Sequence, residues 1–202
     1  MTDRIQPRIA RWATLLLLAS LALSGCAREH PGPIVLVPIG AVPSALLEHL
    51  QRELPRVFHR DVVIRNAIAL PPRAFNARRR QYRGDLLLDE LSHHDVPGAE
   101  RVVGVIDADA YAPGLNFILG QAKKPGRCAV VALARLRESF LRRPENLPLL
   151  YDRAVKTTTH ELGHTFGFEH CDDPACVMHF ANALGEMDQN GFTFCRRETL
   201  PD

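Results

Sequence analysis

Apolar and polar positions alternate along this chain in two periods, and the switches between them mark its elements. Pro33–Gly40, "PIVLVPIG", is a short continuous apolar run and predicts a buried strand ending at Gly40. Leu46, Leu47, Leu50, Leu54 and Val57 then recur at helical spacing across Val42–Phe58, with Pro55 set to end that helix early. Arg60–Leu70 returns to a strand pattern, and Ala77–His94 reads as a second helix. Arg101–Asp109, Leu115–Ala122 and Cys128–Leu136 read as three strands, separated by Pro-Gly turns at 113–114 and 125–126. Glu145–Phe168 predicts a long helix that stops near Gly167. Its apolar stripe runs through Val155, Thr159, Leu162 and Phe166, spaced to pack on a sheet. The order is β-α-β-α-β-β-β-α followed by an irregular tail. It predicts an α+β fold: a mixed twisted sheet, two long helices, and a small irregular C-terminal subdomain.

The start of the chain departs from this pattern. Arg4, Arg8 and Arg11 precede the apolar run Trp12–Leu23, which is too short to span a bilayer but suits the core of a secretory signal. "LSGC", Leu23–Cys26, resembles the lipobox of bacterial lipoproteins, with Cys26 as the lipid-bearing first residue of the mature chain. The expected organisation is a signal peptide at 1–25, a tether at 26–33, and one domain at 34–202. That domain divides into 34–167 and 168–202. The expected location is the bacterial cell envelope, lipid-anchored, and in a diderm the outer membrane facing the periplasm.

Charge removes one class of partner. The chain carries a net +2, and the segment to Cys26 holds Asp3 against three arginines, so the remainder is near neutral. A general nucleic-acid binder is not expected from that balance. The basic run Ala77–Arg83 is read as a solvated helix face.

The chemistry concentrates in "HELGHTFGFEHC", His160–Cys171. His160 and His164 are four apart on one helix, on a different face from the apolar stripe, so their imidazoles can converge on one ion. Gly167 allows a sharp turn because glycine tolerates positive φ, and His170 can then return to the same point. Three neutral imidazoles with a fourth position open describe a catalytic zinc site. Glu161, beside the first histidine, is placed to act as general base toward a zinc-activated water attacking a peptide carbonyl. A zinc- or peptide-binding protein with little turnover is the rival reading, but mere binding needs no base.

"HELGHTFGFEH" matches the metzincin pattern of zinc peptidases, HExxHxxGxxH. Met178, in "CVMHF", stands where that family's Met-turn methionine would lie. Cysteine directly after the third histidine and again at Cys176 makes the chain resemble the archaemetzincins, as do "VGVIDADAYAPGLNFILGQA", "AVVALARL" and "HFANALGEMD". The resemblance spans about residues 34–195. It implies a peptide or protein substrate, a catalytic zinc and a second, structural zinc held by four cysteines. Cys171, Cys176 and Cys195 match three of those four, and Glu198 stands in the place of the fourth. Three arrangements fit the departure. Zinc binds with Glu198, His179 or water completing the set; a disulfide replaces it; or the thiols are free. Cys128 is read as a buried strand residue, with a disulfide role if the fold brings it near. The resemblance also implies that an edge strand pairs with extended substrate, with Leu115–Ala122 as the candidate. Tyr111 is a candidate to stabilise an oxyanion or is a packed surface residue, and His93 and His94 are expected in a solvated loop.

Overall fold

The central strands of the sheet are buried on both faces. A computed structural model describes residues 31–181, 183–195 and 200; Pro31 onward forms one compact unit. The elements run β1 (Ile34–Ile39), α1 (Ser44–Glu53), α2 (Pro55–Phe58), β2 (Val62–Ile64), β3 (Phe75–Asn76), β4 (Gln81–Arg83), α3 (Gly84–His93), β5 (Arg101–Ile106), β6 (Ala110–Tyr111), β7 (Gly120–Ala122), β8 (Cys128–Ala132), α4 (Leu147–Thr165) and α5 (Leu184–Gln189), with short 3-10 turns between. The expected signal peptide and Cys26 lie outside the described residues.

Two sheets form. The larger has the order β2-β1-β5-β8-β7, parallel except for β7, which pairs antiparallel with β8 and is an edge. The smaller has the order β3-β4-β6. Strand alternation sorts the core into two layers. Ile34, Leu36, Val103, Val105 and Val131 pack on α1, α2 and α4, while Val35, Val37, Ile39, Ile106 and Val130 pack with Leu87 and Leu91 of α3. A parallel sheet covered by helices on both faces explains the nearly continuous apolar runs of β1, β5 and β8.

The mixed sheet and the long α4 match expectation, and several boundaries do not. The predicted helix at Ala77–His94 is helical only from Gly84. Arg80 takes a left-handed φ of +56°, and Asn76 Oδ1 accepts from the Arg79 amide at 3.2 Å, so a turn forms first. Arg79 is not a solvated helix position: it donates to the Leu115 and Asn116 carbonyls and lies 4.2 Å from the Tyr111 ring centroid. Of Leu115–Ala122, only the last three residues are strand; Ile118 makes an isolated bridge to Ala110. Pro55 does interrupt the first helix, as the opening residue of α2. The tail is not wholly irregular, since it contains α5.

Candidate metal centre

Helix α4 presents the site. Asn146 caps it, its Oδ1 accepting from the Leu149 amide at 3.1 Å, and Pro148 occupies the first turn, where its missing N–H costs nothing. Val155, Thr159 and Leu162 are buried, and Phe166 packs at the core margin, as the stripe predicts. After α4 ends, Gly167 turns the chain with φ +95°.

That turn returns His170 to within ring-centroid distances of 5.3 Å from His160 and 5.0 Å from His164. One ligand nitrogen from each of the three histidines lies within 4.8 Å of the others. The rings are oriented from behind. His160 Nδ1 donates to the Val177 carbonyl at 2.9 Å, and His164 Nδ1 donates to the Phe168 carbonyl at 2.8 Å. In a neutral imidazole the second nitrogen is then a bare acceptor. The two Nε2 atoms face each other at 3.1 Å with no proton to share, which is the arrangement a cation resolves. Burial and the neighbouring imidazoles hold His160 well below its ordinary range, at about 4, so the ring stays an acceptor in mild acid. Burial also lowers His170. The donor set therefore fits zinc.

Glu161 points from the same helix turn under β7. It is buried, and burial pushes its carboxyl up to about 8 in the metal-free protein. A β-carbon at Gly120 would fall 2.6 Å from Glu161 Oε1, so the edge strand passes directly over the carboxylate.

Met178 is fully buried. Its sulfur lies where a β-carbon on Gly163 would come within 2.5 Å, and its carbonyl accepts from the Cys171 amide at 2.9 Å. The Met178 segment is thus tied to α4, to the third-histidine loop and, through Val177, to His160.

The three tail cysteines converge. Their sulfurs lie within 4.8 Å of one another, with Cys171 Sγ and Cys195 Sγ 3.6 Å apart. Among the described residues, Cys128, Cys171 and Cys195 carry no disulfide. Cys128 is buried in β8 on the α3 side of the sheet, where burial raises its thiol pKa, so it does not join the group. His179 is not among the grouped ligands; its Nδ1 donates to the Cys171 carbonyl at 2.9 Å. Glu198 lies outside the described residues. Tyr111 is held in the small sheet, its hydroxyl accepting from Asn76 at 3.0 Å. His93 is the last residue of α3, and both His93 and His94 are exposed.

Polar clamps dock the tail on α4, a feature sequence reasoning missed. Arg153, 3 % exposed, donates twice to Asp188 at 2.7 Å and once to Glu138 at 2.8 Å. Lys156 donates to the Asp188 carbonyl at 2.8 Å. Gly120 and Gly163 were also missed. The available signal was an isolated glycine inside a strand and inside a helix, which marks close approach.

A buried carboxylate beside three converging imidazoles, on a helix under a sheet edge, fits a zinc-dependent peptidase. Comparison with known proteins agrees. The model of "Peptidase family M54" matches residues 58–200. The archaemetzincin of Methanopyrus kandleri is 42% identical over 164 residues, covering 79% of this chain and 89% of that protein. The archaemetzincin of Pyrococcus abyssi is 38% identical over 172 residues, covering 82% and 92%. The crystal structure of the Methanopyrus kandleri protein superposes with a TM-score of 0.74, over 84% of this chain and 92% of that one. That of the Archaeoglobus fulgidus archaemetzincin, complexed with malonate, gives 0.70 at 32% identity, over 81% and 96%. The chain belongs to peptidase family M54, the archaemetzincins.

Proposed function

We propose that His160, His164 and His170 hold the zinc of this metallopeptidase and that Glu161 is its general base. The convergence of the three imidazoles, two of them fixed by carbonyls behind, carries the assignment. When bound, zinc supplies a Lewis acid that polarises the scissile carbonyl and acidifies water. Glu161 Oε accepts the proton from the attacking water and returns it to the leaving amine. Its burial excludes competing bulk water, and the nearby cation favours the carboxylate that a base requires.

Substrate pairs with β7. The bonds Ala132 N–H to Leu119 O and Lys123 N–H to Cys128 O set the ladder, so Gly120 and Ala122 turn their backbone groups outward from the sheet edge. An extended peptide adding there passes over Glu161. The test is Glu161→Gln assayed on quenched peptides with and without chelator: cleavage should vanish while zinc per chain is retained. Turnover as fast as wild type would end the assignment.

The enzyme is held at a bacterial envelope membrane by lipid on Cys26, and in a diderm it faces the periplasm from the outer membrane. The basic start, the twelve-residue apolar run and "LSGC" support this reading. Palmitate should label the wild type and not Cys26→Ala; equal labelling of both would overturn it.

A further inference from the structure

We propose that Arg79 and Gln81 are positioning residues for peptide cleavage: from the small sheet they anchor the segment that leads into β7, and so hold Gly120 over Glu161. The proposal rests on the reading of Glu161 as base and of β7 as the edge that receives substrate.

The segment needs an anchor because burial does not hold it. Residues 113–117 are all exposed, Leu115 to 56 %. Gly114 turns the chain at φ +84°, and nothing lies within 4 Å of where its β-carbon would be. The strand that follows, β7, is only Gly120–Ala122 and lies at the sheet edge. Chain with so little buried apolar surface opens locally at small cost.

Side chains of the small sheet supply the missing ties. The Asn116 carbonyl accepts from Arg79 Nη2 at 2.8 Å and from Gln81 Nε2 at 3.1 Å. Arg79 Nη2 also donates to the Leu115 carbonyl at 3.3 Å. Hydrogen bonds from a charged donor are about twice as strong as neutral ones, so Arg79 is the firmer anchor. Both donors are themselves fixed. Gln81 is buried, its Oε1 accepts from Arg79 Nε at 2.8 Å, and its Nε2 donates to Asp109 at 3.0 Å as well as to Asn116. Both amide hydrogens and the amide oxygen are thus engaged. Arg135 in turn grips the two Asp109 oxygens at 2.7 and 2.9 Å, and its guanidinium lies 4.3 Å from the Phe117 ring centroid. From Asn116 the path to the site is short and tied along its length. The Ile118 amide donates to the Ala110 carbonyl at 2.9 Å, the Leu119 carbonyl accepts from the Ala132 amide at 2.8 Å, and Gly120 pairs with Val131. Gly120 then meets the Glu161 carboxylate. An edge that takes a peptide through main-chain bonds binds better when it is held in place beforehand.

The test compares the zinc-loaded wild type with Arg79→Ala, Gly120→Ala and the double variant, by quenched-peptide cleavage and by amide hydrogen exchange. Misplacement carried from a distance costs up to about 10²-fold, and Arg79→Ala should lower kcat by about tenfold with zinc per chain unchanged. In the Gly120→Ala background the same change should cost less than about twofold, because the two residues share one route. Losses that multiply would place the effect of Arg79 elsewhere and overturn the proposal. The amides of Ile118 and Gln121 point inward, to Ala110 and Val130. Their exchange should quicken about tenfold in Arg79→Ala while that of β1 stays as in the wild type. Unchanged exchange at Ile118 and Gln121, or equal quickening in β1, would also overturn it. Should Arg79→Ala fail to fold, Gln81→Met, which keeps the side-chain volume and removes the Nε2 donor, takes its place with the same expectations. A wild type that cleaves no peptide would end the reading of the site, and the exchange comparison would then decide by itself whether Arg79 holds the edge over Glu161.

Discussion

Gly120 and Glu161 are in contact across the site: a β-carbon on the glycine would sit 2.6 Å from the carboxylate oxygen of the glutamate. The strand that carries Gly120 is the edge proposed to receive substrate, so on that proposal one backbone unit both fixes the base and borders the peptide. Gly120→Ala should push Glu161 out of line. General acid–base catalysis and its alignment are worth about 10²-fold or more. The expected result is a fall in kcat of that order with zinc per chain unchanged. Full activity in this variant would show that the carboxylate has room to move.

Gly163 and Met178 make the second close approach. Glycine inside a helix costs about 0.5–1 kcal/mol relative to alanine, so Gly163→Ala would stabilise α4 if nothing lay opposite. Here the added methyl meets Met178 Sδ at 2.5 Å and Phe194 at 2.9 Å. Overpacking of this kind costs about 1–3 kcal/mol, which reverses the sign. Urea denaturation should show Gly163→Ala destabilised, and less so when Met178→Ala opens the space beneath it. Additive losses in the double variant would dissociate the two residues.

Arg153 holds the tail to α4. Its guanidinium bridges Asp188 of α5 and Glu138 before α4, with 3 % of the side chain exposed. The paired Arg153 lowers Glu138 below the usual carboxylate range. Removing one partner of a buried ion pair leaves the others uncompensated and costs about 3–5 kcal/mol. Arg153→Ala should lose stability on that scale by equilibrium denaturation. An effect under about 1 kcal/mol would place the group among surface pairs.

These three contacts show where sequence reading stops. The histidine spacing is local, fixed by 3.6 residues per turn and one glycine turn, so His160, His164 and His170 could be placed from the chain alone. The strands β1, β5 and β8 were legible because burial on both faces writes an unbroken apolar run. The small sheet was not, since β3, β4 and β6 are two or three residues each and are set by partners far along the chain. The run before Gly84 looked helical because arginine and glutamine are good helix formers. The Asn76 turn and the left-handed Arg80 override that propensity. Gly120, Gly163 and Arg153 act on residues 41, 15 and 35 positions away, and no local pattern records such a pairing.

Glu161 gives the metal-free protein a pH dependence with a defined sign. Its carboxyl titrates near 8 when folded against 4.5 as the ordinary value, because burial penalises the charge. Between those values the unfolded chain has lost a proton that the folded chain keeps. Unfolding therefore releases a proton, and stability falls as pH rises, by up to about 1.4 kcal/mol per unit. His160 acts oppositely. Its folded value of about 4 lies below the ordinary 6.5, so it adds stability as pH rises from about 4 to 6.5 and nothing more above. From pH 6.5 to 8 the Glu161 contribution stands without that offset. Glu161→Gln cannot ionise and lacks the slope. In chelator, the midpoint of the wild type should drop across this window while that of Glu161→Gln holds, the gap closing toward pH 5. Parallel midpoint curves for the two proteins would mean that the carboxylate reaches water in the metal-free state.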